Sequence, residues 1–179
     1  MMHNTNNAAL ENMIKRRSIR SFSSKMVNPN DLDDIIEAGL YAATGRNRQS
    51  PVIIAVTNKE LRDRISAVNA EILGCSIDPF YNAPVMLIVL SDKSIPTHVY
   101  DGSLVLGNMM NAASALGLGS CWIHRAREQF ERPEWIEWLK NEAGLEGEYE
   151  GIGTLAVGYI EGDYPKTLPR RPGRVVKFA

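Results

Sequence analysis

The chain has 179 residues, 44% hydrophobic and 23% charged, and its 20 basic and 21 acidic side chains leave a net charge of -1. That balance argues against general nucleic-acid binding, which shows a basic excess, and no apolar run approaches the ~20 residues that span a bilayer. The length suits one domain, residues 1–179, with a substantial core. A polar start without an apolar h-region points to a cytoplasmic protein. Cys75 and Cys121 have no metal-like spacing and read as buried, reduced thiols.

Residues 6–16 carry Leu10, Met13 and Ile14 at helical spacing, which predicts a short helix. Asn28-Pro29, followed by Asp31, is a helix start. The stripe Leu32, Ile35, Ile36, Gly39, Leu40 and Ala43 extends that helix to about residue 43, with Gly45 closing it. A polar, turn-prone loop over 44–51 leads into a strand over 52–57. Residues 59–73 read as an amphipathic helix on Leu61, Ile65, Val68 and Ile72, with Asn69 beside the stripe. The unbroken apolar run 85–90 suits a strand buried on both faces.

The longest helical pattern spans residues 98–117, with Leu104, Val105, Met109, Ala112 and Leu116 as its stripe. It is rich in Gly, Ala and Ser, which allow close backbone approach, so both burial within one subunit and a subunit interface fit it. Asp101 and Asn108 are polar anchors within it. Gly117-Leu118-Gly119-Ser120-Cys121-Trp122 is not a dinucleotide fingerprint: Trp122 replaces the third glycine and the order is helix then strand. A strand over 120–124, a helix over 133–143 with Trp135 and Trp138 in the core, and a strand over 151–160 follow. In that strand Ile152, Thr154, Ala156 and Gly158 alternate with Gly153, Leu155, Val157 and Tyr159. Pro165, Pro169 and Pro172 keep the tail irregular. The class is α+β with about four strands.

The chemistry concentrates near the start. Lys15, Arg16, Arg17 and Arg20, with Ser18 and Ser21, place four cations in six positions of a nearly neutral chain. Arg offers a planar fork of donors that fits a phosphate and Ser adds a short one, so the stretch reads as a grip for a nucleotide-like cofactor. Asn47 and Gln49 offer amides to a heterocycle edge or to turn chemistry, and the residues alone favour the turn. His98 and His124 lack the paired spacing of a metal site.

Taken in order, Arg16-Arg17-Ser18-Ile19-Arg20, Ala42-Ala43-Thr44-Gly45-Arg46-Asn47-Arg48-Gln49-Ser50-Pro51, Phe80-Tyr81-Asn82-Ala83-Pro84, the residues 115–122, Gly158-Tyr159 and Pro169-Arg170-Arg171-Pro172 resemble the FMN-dependent nitroreductase family. The resemblance runs from about residue 11 to 176. It implies an α+β sandwich with a mostly antiparallel sheet flanked by helices, active as a homodimer with FMN at the subunit interface. It places Arg16, Arg17, Ser18 and Arg20 on the first cofactor motif and Arg170 and Arg171 on a C-terminal basic pair at the same phosphate. Thr44, Gly45, Asn47 and Gln49 would reach the flavin from the partner subunit. Asn69 would lie near the pyrimidine ring, and Trp122, Ile123 and His124, continuing to Arg125, along the flavin near N5.

The implied activity is hydride transfer from NAD(P)H through flavin N5 to a small acceptor such as a nitroaromatic or quinone, in ping-pong fashion, with no metal, nucleic acid or membrane involved. The cofactor carries that chemistry, no side chain stands out as catalytic, and His124 is a candidate proton donor. A non-enzymatic FMN-binding or sensing protein is the alternative. A small anion- or RNA-binding module on the basic stretch is a third reading.

Overall fold

The computed structural model describes residues 7–178. In chain order it has α1 (Ala8–Lys15), α2 (Pro29–Leu40), a 3-10 turn (Gly45–Asn47), β1 (Pro51–Val56), α3 (Lys59–Leu73), β2 (Val85–Asp92), α4 (His98–Ala115), β3 (Gly119–Ile123), α5 (Ala126–Phe130), α6 (Pro133–Asn141) and β4 (Tyr149–Gly158). Residue 6 of the expected first helix lies outside the described residues. Three helices start as their sequences dictate: the Asn7, Asn28 and Asn58 side chains accept from the Leu10, Asn30 and Leu61 amides at 3.1, 2.9 and 2.9 Å. Gly74, at φ 71°, ends α3 in the left-handed conformation glycine tolerates.

The sheet runs β1-β2-β4-β3 and every ladder is antiparallel. β2 sits inside it, and Val85, Met86, Leu87, Ile88, Val89 and Leu90 are all fully buried. Met86, Ile88 and Leu90 face one layer, Val85, Leu87 and Val89 the other. Each such side chain contributes about 2 kcal/mol by leaving water, so this run anchors both layers at once. The first layer holds α3, α5, α6 and the chain around Ile19 and Phe22. The second holds α2 and α4.

The structure corrects several expectations. α2 ends at Leu40, because the chain then turns away so that the Gly45 amide meets α4. The register of β2 on β4 shifts at Val89/Leu90, opposite Gly153 and Gly151. That irregularity breaks the alternation of β4, and Ile152 joins the layer of Leu155 and Val157. Cys75 is half-buried, and only Cys121 is a core thiol. Leu40, Leu104 and Leu116 point outward rather than into the core. The short helix α5 had no periodicity to reveal it. No helix among the described residues is long and apolar enough to cross a membrane.

Candidate functional site: a cationic cradle and a pinned amide loop

The basic stretch leaves α1 as extended chain and docks on the sheet. Ser18 forms a parallel bridge with Ser120, and the Ile19 amide donates to the Ser120 carbonyl at 3.0 Å. Phe22 bridges Ile160 further on. Buried Ile19 and Phe22 hold the segment by their side chains, so its polar residues lie along the β3 edge. Arg16 and Arg20 are close enough to the buried Cys121 thiol to oppose the upward push that burial gives its pKa.

The two neighbouring arginines differ. Arg17 reaches the Ile14 and Arg16 carbonyls at 2.8 and 2.6 Å and the Thr167 hydroxyl. Arg16 is half-buried, and its Nη1 is buried without any hydrogen-bond partner. Neither Arg16 nor Arg20 has an acidic partner among the described residues. A buried guanidinium nitrogen left unpaired loses about 1–3 kcal/mol or more; Arg17 Nε is buried without a partner too, but its two terminal nitrogens are both bonded.

The tail comes back to the same place. The Tyr164 hydroxyl donates to the Lys15 carbonyl and accepts from the Arg17 amide, both at 3.1 Å. With Thr167 it ties the tail to the start across about 150 residues of chain. Arg170 follows three residues after Thr167, within a reach of ~10 Å; it is exposed and donates to the Leu168 carbonyl at 2.7 Å. Arg171 is also exposed. Beside this junction a cleft of about 590 Å³ opens between α1, the end of α4 and the tail, lined by Asn12, Lys15, Ser114, Ala115, Tyr164 and Thr167.

The amide loop lies at the other end of α4. The Gly45 amide donates to Asp101 Oδ1 at 2.9 Å, and the Thr97 hydroxyl donates to Asp101 Oδ2 at 2.8 Å. Residue 45 must be glycine here, since a Cβ would stand 2.4 Å from Thr97 Oγ1. The Gln49 amide donates to the Thr44 hydroxyl at 3.1 Å, and Gln49 Nε2 donates to Asn47 Oδ1 at 3.1 Å. Asn47 and Gln49 are exposed.

Four further expectations concern β3, the residue after it and α3. Trp122 is half-buried, its indole N–H is buried without a partner, and it lies so close over Gly153 that a Cβ there would come within 2.1 Å of Nε1. Ile123 is a core side chain, so only its backbone is free to face a ligand. His124 follows the strand and is exposed. Asn69 does not join this group: it is fully buried and donates to Gln129 Oε1 at 2.7 Å and to the Ile65 carbonyl at 3.1 Å. It sits at the α3–α5 contact, where α5, unseen in the sequence, supplies Gln129, and Asn69 Oδ1 and Gln129 Nε2 are left buried without partners.

Tyr164 and Thr167 escaped sequence reasoning because no local pattern marks a contact of that separation. Asp101 stood out only as a polar residue in an apolar helix.

The geometry can be set beside known proteins. The chain aligns with an NADPH-flavin oxidoreductase of Vibrio harveyi at 28% identity, covering 95% of this chain and 72% of the relative. It aligns with an FMN reductase [NAD(P)H] of Bacillus subtilis at 28%, covering 73% and 62%. In structure it matches a nitroreductase with bound FMN from Bacteroides fragilis with TM-score 0.86, 29% identity and coverage of 97% and 100%. The family model described as the nitroreductase family matches residues 13–74 and 75–159. With both helical layers, all four strands and the whole basic stretch inside that match, the chain belongs to the nitroreductase family.

Proposed function

We propose that this chain binds FMN and uses NAD(P)H to reduce a small acceptor of the nitroaromatic or quinone class. The observation that carries the reading is Arg16 Nη1, buried and without a partner at the end of α1. In this reading Arg16, Ser18 and Arg20 hold the phosphate, and Arg170 and Arg171 approach it from the tail. The names of the Vibrio and Bacillus relatives support the pyridine-nucleotide half.

The reading includes a homodimer, which the placement of these parts supports. The basic cradle packs near Asn111, whose carbonyl accepts from Asn12, and the loop packs near Asp101. Ten helical residues separate those points, about 15 Å along α4. Along this stretch and just before it, α4 shows a bare face, with Tyr100 72% and Leu104 51% exposed. A two-fold pairing of antiparallel α4 helices buries this face and brings the loop of one chain beside the cradle of the other.

When bound, FMN supplies the hydride relay between NAD(P)H and the acceptor. The chain's own work is placement. The arginines neutralise the phosphate. Asn47 Nδ2 and Gln49 Oε1, which have no protein partner among the described residues, present a donor and an acceptor to the ring edge. The backbone at 122–124 lines the ring, and exposed His124 is the proton donor nearest that line.

Purified protein is expected to take up FMN and turn yellow. Stopped-flow mixing with NADH or NADPH then bleaches the flavin on a turnover timescale. A protein that takes up no FMN overturns the reading, and bound flavin that does not bleach favours a binding or sensing role.

A further inference from the structure

We infer that Asp101 is the positioning residue of the amide loop, acting through the Gly45 backbone to hold Asn47 and Gln49 in place; this rests on the FMN reading and deepens it. Three observations converge. First, the loop is strained. Arg46, Asn47 and Gln49 have φ of 55°, 54° and 51°, a conformation that residues with side chains avoid. Left alone, such a loop would relax to other conformations.

Second, its fastening is narrow. The Asn47 amide donates to the Thr44 carbonyl at 3.0 Å and the Arg48 amide to the Gly45 carbonyl at 3.3 Å, both bonds internal to the loop. The hydrogen bond from the Gly45 amide to Asp101 is what ties residues 44–49 to α4. Thr97 reinforces it from the same carboxylate, and the Asp101 amide donates back to the Thr97 carbonyl at 2.9 Å.

Third, Asp101 is an unusual occupant. It is 3% exposed and has no cationic partner among the described residues. A buried carboxylate without a cation is costly to keep. Its place in the first turn of α4 offsets part of that cost through the helix dipole. A leucine or alanine would pack the layer with less penalty. What Asp101 provides and an apolar side chain does not is an acceptor aimed at the Gly45 amide, with a second oxygen held by Thr97.

The test is a set of FMN titrations on the full chain: wild type, Asp101→Ala, Asp101→Asn, Thr97→Val, Asn47→Ala, and the doubles of Asp101→Ala and Thr97→Val with Asn47→Ala. Asp101→Ala is expected to weaken FMN roughly tenfold, the effect of freeing a buried donor. Asp101→Asn, whose oxygen still accepts from Gly45, is expected to weaken it about threefold or less. If Asp101 acts through the loop, Asn47→Ala adds less than about twofold once Asp101 is gone. A residue that merely stabilises the fold lowers the melting temperature and leaves the Asn47→Ala effect whole, and such additivity overturns the inference.

Should Asp101→Ala fail to fold, Thr97→Val keeps the carboxylate and reads the same coupling, with FMN expected to weaken about threefold and additivity again the overturning result. Arg16→Ala separates the two levels. No FMN uptake by wild type sinks the parent reading. FMN weakened by Arg16→Ala but untouched by Asp101→Ala sinks only this one.

Discussion

Arg16 and Arg17 stand side by side and meet different surroundings, and their substitutions should differ accordingly. Arg17 is a structural clasp between α1 and the tail through its bonds to Ile14, Arg16 and Thr167. Arg17 Nε is buried without a partner, but the Arg16 guanidinium has no hydrogen bond at all among the described residues, and its buried Nη1 is left open. Arg16→Ala and Arg170→Ala are each expected to weaken FMN retention by about 1.5–3 kcal/mol, the scale of one charge-assisted hydrogen bond. Equilibrium dialysis of FMN measures it, and unchanged affinity in either variant removes that residue from the phosphate site. The residue types at this site were legible, because four cations in six positions of a chain with net charge -1 stand out from composition alone. Their division of labour was not. Which guanidinium meets the tail depends on where Thr167 arrives, and that is set by packing about 150 residues away.

At the scale of elements, the turn between α3 and β2 shows how a single carboxylate organises a junction. Asp78 accepts from the Ser66 hydroxyl at 2.5 Å, from the Phe80 and Asn82 amides at 2.9 and 2.7 Å, and from the Arg62 guanidinium. Arg62 also donates to the Ala83 carbonyl at 3.1 Å, so helix, turn and strand share one network. Tyr81 and Asn82, both at φ 57°, are held in the left-handed region by it. Burial pushes the Asp78 carboxyl up, but the donors from Ser66, Arg62, Phe80 and Asn82 outweigh it and hold it below its ordinary value of 3.8. A carboxylate depressed on folding contributes stability that is complete above the unfolded value and is lost as pH falls through the folded one. Asp78→Asn should therefore destabilise the chain by about 2–3 kcal/mol at neutral pH, and the gap to wild type should close below about pH 4. Urea unfolding across pH reads this, and a gap that stays constant into acid argues against the network. The helices and strands that flank this turn were legible from apolar spacing, including α3 to the residue. The turn itself was visible only as a connector, since a four-donor network leaves no periodic trace. α5, five residues long, is shorter than the repeat that would betray it.

For the whole molecule, the apolar pattern of α4 is only partly used within the chain. Val105 and Met109 fill the core, yet Leu104 and Leu116 of the same stripe are outside it. A sequence pattern records that a side chain seeks a dry partner, not whether that partner is in the same chain, which is why burial within one subunit and an interface both fitted residues 98–117. Leu40 and Tyr41, at the end of the α2 helix that packs on α4, are exposed as well. Exposed apolar side chains of this kind are what a C2 interface needs. In the proposed dimer Leu104 lies near the middle of the α4 pair, where two copies of one residue approach each other. Leu104→Glu would set two carboxylates against each other in that contact, a like-charge placement that costs several kcal/mol. The variant is expected to sediment as a monomer and to lose FMN together with dimerisation, because the loop at Gly45 then no longer reaches the other chain's cradle. Sedimentation velocity followed at the flavin absorbance reads both at once. A monomer that keeps FMN with wild-type affinity would show that one chain completes the site alone, and a dimer undisturbed by the charge would move the interface to another face.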